Sequence, residues 1–365
     1  MKKTVFLITL VVLAFSVTLH GQQKPNERKY KLIAYYSSDS ASLMKYDYSR
    51  ITHVIYCFGH VNSGGYFGVS RQKDLSALKG LILLRQKYPH LKMMVALGGW
   101  SGCELCSNVF NDPLKTKRFV GSVRDFLETY SLDGFDFDWE YPVVKGYPGH
   151  QFMIEDKNNF TKVVALLRKT LPKGKLISFA SGGFMEYMEK SIDWKAINPL
   201  IDFVNLMSYD LVGGYATITG HMTPLYSTSE NEESADKAIG YLEKIRFPLN
   251  KVIIGATFYT RSWENVPNVN NGLYQPGKFQ GSHDYNNYVN TFTEANGYRY
   301  FWDEKAQAAF WYNKEKNIFV TGDDKQSLKA KSDYVKNKGL GGLMFWELPL
   351  DKPENGLLNA IDINR

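Results

Sequence analysis

Apolar runs rich in β-branched and aromatic residues alternate along this chain with amphipathic stretches. The runs at 31–36, 52–58, 92–98, 134–138, 176–180, 203–207, 252–259 and 341–346 read as strands. The stretches at 75–87, 115–130, 158–170, 235–244 and 325–338 carry helical spacing between them. The strands are too continuously apolar for a clean period of two, as expected where both faces of a parallel sheet are covered. Eight such units predict an α/β fold, a closed (β/α)8 TIM barrel. An open doubly wound sheet is the competing arrangement, weakened because no G-x-G-x-x-G or Walker-type loop follows the early strands. One connection breaks the rhythm. About 80 residues separate the seventh and eighth runs, where roughly 30 to 40 complete a βαβ unit. Within it, 264–324 is rich in Asn, Gly, Tyr and Phe, with alternating pieces such as Tyr298-Arg299-Tyr300-Phe301-Trp302. It predicts a small α+β insertion rather than a structureless loop. The barrel is then expected from 22–263 and 325–365.

The N-terminus adds an address. Lys2 and Lys3 precede an apolar stretch over 5–19, and polar residues resume at Gln22. This predicts a signal peptide over 1–21, cut after Gly21. The apolar run is about 15 residues, short of the roughly 20 that a membrane helix needs. The mature chain is expected to be secreted or periplasmic, with no membrane partner. An apolar content of 44% supports a large core, and an aromatic content of 15%, much of it Tyr, suits both interfaces and stacking on sugars. Net charge is +7 without a dense Lys/Arg run, which argues against nucleic acid as a partner. A monomer is expected.

Cys57, Cys103 and Cys106 are too few for a disulfide scaffold. Zinc at Cys103-x-x-Cys106 would need two further ligands that no nearby His or Cys pair offers. A redox motif would need a small βαβ setting. A local disulfide or plain packing thiols are favoured, with a metal or redox role as the alternative.

The strongest chemistry lies in 133–140. Asp136, Asp138 and Glu140 are spaced two apart, so a strand puts them on one face and Phe135, Phe137 and Trp139 on the other. Tyr141-Pro142 ends the strand, which places the acids at the C-terminal mouth of a barrel, where active sites lie. Three carboxyls on one low-dielectric face cannot all ionise cheaply, so at least one is held protonated near neutral pH. That suits general-acid catalysis. Asp-x-Asp-x-Glu can also present oxygens to a divalent cation, but the EF-hand spacing is missing and the flanking aromatics do not suit a coordinating loop. Neither metal nor cofactor is expected.

Ser131-Leu132-Asp133-Gly134-Phe135-Asp136-Phe137-Asp138-Trp139-Glu140-Tyr141-Pro142 resembles the D-x-x-D-x-D-x-E signature of the family-18 glycoside hydrolases, the chitinases and their relatives. Ala96-Leu97-Gly98-Gly99-Trp100 resembles the family's S-x-G-G-W segment, and Met207-Ser208-Tyr209-Asp210 its M-x-Y-D motif. Tyr259-Thr260-Arg261, Phe345-Trp346-Glu347 and the insertion sequence from Trp302 to Ala308 follow in the same order. The resemblance implies hydrolysis of β-1,4-linked N-acetylglucosamine in chitin or chitooligosaccharides, with retention and with the substrate's own N-acetyl group as nucleophile. It makes Glu140 the general acid/base. It gives Asp138 the acetamido N–H, Asp136 a proton shared with Asp138, and Tyr209 the acetamido oxygen. It leaves Asp133 ordering the strand end. Asp210, Tyr259, Arg261 and Met207 would line the cleft. Trp346 would be the floor beneath the sugar, with Trp100, Tyr35 and Tyr141 for flanking units and Phe58 close by. Two departures stand out. Ala96 removes a hydroxyl from beneath Asp136, and Ser37-Ser38-Asp39 lacks the Trp that many relatives place there for a distant sugar. The alternatives are an endo-β-N-acetylglucosaminidase acting on N-glycans and a non-catalytic chitin-binding lectin. The intact set of Glu140, Asp138, Asp136 and Tyr209 speaks against the lectin.

Overall fold

The computed structural model describes residues 29–364, so the expected signal peptide lies outside the described residues. Among the described residues there are fourteen strands: β1 (Lys31–Tyr36), β2 (His53–Val61), β3 (Phe67–Gly68), β4 (Lys92–Gly98), β5 (Gly134–Asp138), β6 (Leu176–Gly182), β7 (Phe203–Met207), β8 (Val252–Thr257), β9 (Tyr259–Glu264), β10 (Lys278–Asp284), β11 (Tyr298–Asp303), β12 (Ala308–Asn313), β13 (Ile318–Gly322) and β14 (Gly342–Trp346). Eight of them run parallel in the order β1-β14-β8-β7-β6-β5-β4-β2, and β1 also pairs with β2. The sheet is therefore closed, as the alternation of elements predicts.

Alternation along each strand separates two cores. Ile33, Tyr35, Ile55, Cys57, Met94, Ala96, Phe203, Ile253 and Met344 fill the barrel lumen. Leu32, Ala34, Tyr36, Val54, Tyr56, Phe135 and Phe137 belong to the layer between barrel and helices. In that outer layer Phe137 meets Phe160 edge-on at 5.5 Å, and Trp139 meets Phe110 at 5.4 Å. The helices start where the sequence marks them. Asp112 accepts hydrogen bonds from the Leu114 and Lys115 amides, and Pro113 occupies the first turn of Pro113–Thr129. Asp324 caps Lys325–Lys338, which ends on Gly339 at φ 65°. Among the described residues no helix is long and apolar enough to cross a membrane.

The run expected at 252–259 is two strands. The Phe258 amide donates to the Trp346 carbonyl at 2.8 Å, the ladder with β14 ends, and the chain turns into a second sheet. That antiparallel sheet has the order β10-β9-β13-β12-β11 and begins at Tyr259 rather than in the 264–324 stretch alone. Trp263, Val266, Leu273, Phe310, Tyr312 and Phe319 form its own core. Cys103 and Cys106 are joined in a disulfide, and Cys57 is free and buried.

Candidate active site

β5 carries Asp136 in the lumen and Asp138 at the mouth of the barrel, and Glu140 follows just beyond the strand end. All three are buried, at 0%, 4% and 9% exposure. Asp136 is saturated. Its Oδ1 accepts from the Ser178 hydroxyl at 2.5 Å and from Asn205 Nδ2 at 3.2 Å, and its Oδ2 accepts from the Tyr35 hydroxyl at 3.0 Å. Burial nevertheless pushes its carboxyl up to about 6. Asp138 is the opposite case, because its Oδ1 is buried without a hydrogen-bond partner. Burial first, then the charges of Glu140 and Asp136, push it well above the usual carboxylate range. Burial also pushes Glu140 up to about 7, against a hydrogen bond from the Tyr141 side chain. Burial thus raises all three carboxyls of the row above the ordinary carboxylate range.

An open cleft of about 960 Å³ lies over this row. Its lining includes Phe58, Trp100, Asp138, Glu140, Tyr141, Met207, Tyr209, Asp210, Tyr259, Arg261 and Trp346. Asp136 and Tyr35 lie outside that lining, in the lumen. Trp346 stacks on Phe58 with ring centres 5.4 Å apart, and Tyr35 meets it at 5.8 Å. Asp210, at φ 53°, is gripped by Arg261 through Nε at 2.8 Å and Nη2 at 2.7 Å, and by the Tyr259 hydroxyl at 2.8 Å. Asp133 sits at the other end of β5, where it accepts from the Met93 amide at 2.7 Å and from Arg85 at 2.6 Å.

Several participants were not singled out in the sequence. Ser178 and Asn205 hold Asp136, with Asn205 also donating to the Tyr35 hydroxyl at 2.9 Å. Each is a polar residue at a lumen-facing position of a mostly apolar strand, and that was the available signal. Ser37, Lys73, Tyr215, Asp284 and Glu347 line the cleft as well. Three non-proline cis peptides, Cys57–Phe58, Glu140–Tyr141 and Trp346–Glu347, lie at the mouth. Among the described residues no cluster of His, Cys, Asp or Glu is arranged to hold a metal ion.

Comparison with known proteins agrees with this geometry. The family model described as "Glycosyl hydrolases family 18" matches residues 31–351. Chitinase A1 of Niallia circulans is 32% identical over 298 residues, covering 74% of this chain and 42% of its own length. The chain spans less than two thirds of the curated relatives first matched. Among solved structures, chitinase ChiA74 of Bacillus thuringiensis superposes with a TM-score of 0.81 at 26% identity, over 91% of this chain and 69% of that one. A family-18 N-acetylglucosaminidase from Paenibacillus barengoltzii gives 0.79 at 30% identity, over 91% and 98%. Barrel, acid row and family match coincide over nearly the whole described chain, which belongs to glycosyl hydrolase family 18.

Proposed function

We propose that the protein is a chitinase, a retaining hydrolase of β-1,4-linked N-acetylglucosamine. The observation that carries this reading is the arrangement of the acid row, where Glu140, pushed up to about 7 by burial, stands beside a buried Asp138 with one oxygen unpartnered. A buried acceptor left without a donor costs stability. An acetamido N–H from the substrate is the donor that would complete it. Glu140 then gives its proton to the glycosidic oxygen while the substrate's acetamido oxygen attacks the anomeric carbon. The leaving sugar departs with that proton, and an oxazolinium ion remains. Asp138 offsets its positive charge, and the Tyr209 hydroxyl orients the acetamido oxygen. Glu140, now ionised, takes a proton from water, which attacks the anomeric carbon from the face just vacated. Configuration is retained and the acid is restored. Trp346, with Phe58 beside it, offers the flat floor for the sugar. The barrel over 22–263 and 325–365, the insertion over 264–324, export after loss of 1–21 and a monomeric state belong to the same proposal.

The test uses a defined N-acetylglucosamine hexamer. Wild-type protein is expected to cut it with retention, at an undiminished rate in excess EDTA, and Glu140→Gln to bind it without cutting. Release of intact glycans from a glycoprotein with the hexamer untouched would overturn the substrate assignment. Full activity in Glu140→Gln would overturn the acid.

A further inference from the structure

Trp100 lines the cleft and is 39% exposed. It meets Tyr141 at 6.3 Å, Tyr147 at 5.9 Å and Tyr215 at 6.3 Å, each edge-on or tilted. Its loop leaves β4 through Gly98 and Gly99, at φ 104° and 77°, and Gly102 follows. Glycine surrenders the most backbone freedom on being fixed, so such a loop needs external restraint. Its own hydrogen bonds are few. The Gly99 amide donates to the Asp138 carbonyl and the Gly102 amide to the Gly99 carbonyl, both at 2.9 Å.

We propose that the Cys103–Cys106 disulfide is a positioning staple that holds the Trp100 ring at the rim of the cleft and so sets the preference for long oligosaccharides. The proposal rests on the reading of the cleft as a chitooligosaccharide site. The Cys103 sulfur packs against the turn itself, 2.9 Å from where a Cβ on Gly98 would sit. A Cβ on Gly102 would fall 1.9 Å from the Gly98 carbonyl oxygen, so the loop closes back on its own start. Cys106 opens the helix Cys106–Phe110, which is anchored twice. Its Ser107 hydroxyl donates to Asp156 at 2.8 Å, and Phe110 packs on Trp139. The staple thus ties a glycine turn to a fixed helix. A role in global stability accounts for it less well. The link spans a sequence separation of only 3, and the unfolded-state entropy that a disulfide removes grows with loop length. Its effect is therefore local, on the ring that the loop carries.

The test compares wild type, Trp100→Ala, the double variant Cys103→Ser/Cys106→Ser, and the triple variant. For each, kcat and KM are measured on the hexamer and on an aryl chitobioside, well below each variant's melting temperature. The double variant is expected to raise KM for the hexamer about 3- to 10-fold, the loss of one stacking ring, with kcat and the aryl substrate hardly changed. Adding the cysteine changes to Trp100→Ala is expected to do nothing more. Free thiols at both positions in the exported protein would overturn the staple. So would an unchanged hexamer KM in the double variant, or a loss that persists undiminished when Trp100 is already absent. A wild-type protein that cuts neither substrate overturns the functional reading and the staple together. A Trp100→Ala effect without one from the double variant overturns the staple alone.

Discussion

Among the buried acids of the described residues, two sites are treated in opposite ways. At the junction of barrel and second sheet, Asp323 and Lys331 are both fully buried and paired at 2.7 Å. Lys331 also donates to the Thr223 hydroxyl at 2.6 Å and to the Gly255 carbonyl at 3.3 Å. Asp323 accepts from the Ser327 hydroxyl at 2.7 Å and the Thr257 amide at 2.9 Å. Between the lumen and the mouth of the barrel, three acids share one face. Among the described residues no Lys or Arg pairs with Asp136, Asp138 or Glu140, and one oxygen of Asp138 has no partner at all. The first group is finished by the fold. The second keeps one acceptor open, at Asp138, and in the proposed function a substrate would complete it.

The comparison can be broken most forcefully at Glu140. Glu140→Gln is expected to lower kcat on the hexamer by about 10²- to 10⁴-fold, the span of general-acid catalysis, while the protein stays folded. Steady-state kinetics with a parallel thermal melt check both halves. The same kind of change at the junction should do the reverse. Lys331→Met leaves Asp323 as an uncompensated buried charge and is expected to cost about 3–5 kcal/mol of stability, read by urea unfolding.

Next in size is a pH effect. Glu140 holds its proton longer folded than unfolded, since its value rises from 4.5 to about 7. The stability it contributes is full below 4.5 and is lost as pH rises through about 7. Glu140→Gln should therefore show a flatter fall in stability than wild type across that window, by urea titration at several pH values. Activity of the wild type should fall on the same alkaline limb, as the acid loses its proton. The smallest effect is expected at Ser178→Ala. Asp136 loses its shortest donor, which holds its value down, and the acid limb of the pH–rate profile should move up by about one unit.

Much of this was legible in the chain. The acid row could be read because alternation on a strand is local, and the eight strands because a buried parallel sheet leaves long apolar runs. What supports the row could not be read so directly. Ser178 and Asn205 reach Asp136 from β6 and β7, and their register against β5 depends on how the barrel closes. The cis peptides carry no proline to announce them. Lys331 looks like any helix lysine, yet it shares a face with Leu328 and Val335 at helical spacing, so its burial was encoded in the period. The division of the strand at Phe258 was hidden because the apolar run continues through Phe258 and Tyr259 without a break.

That division matters to anyone trimming or exchanging parts of this molecule. β9 is flanked on both edges by strands that come later in the chain, β10 and β13. It carries Arg261 and Tyr259, the two residues that grip Asp210. A cut placed by chain position, just after Glu264, would strip β9 of both neighbours and leave a bare edge open to pairing with other molecules. A graft of this sheet onto another barrel has to move β9 and its two side chains as cargo, with an aspartate waiting at the receiving end.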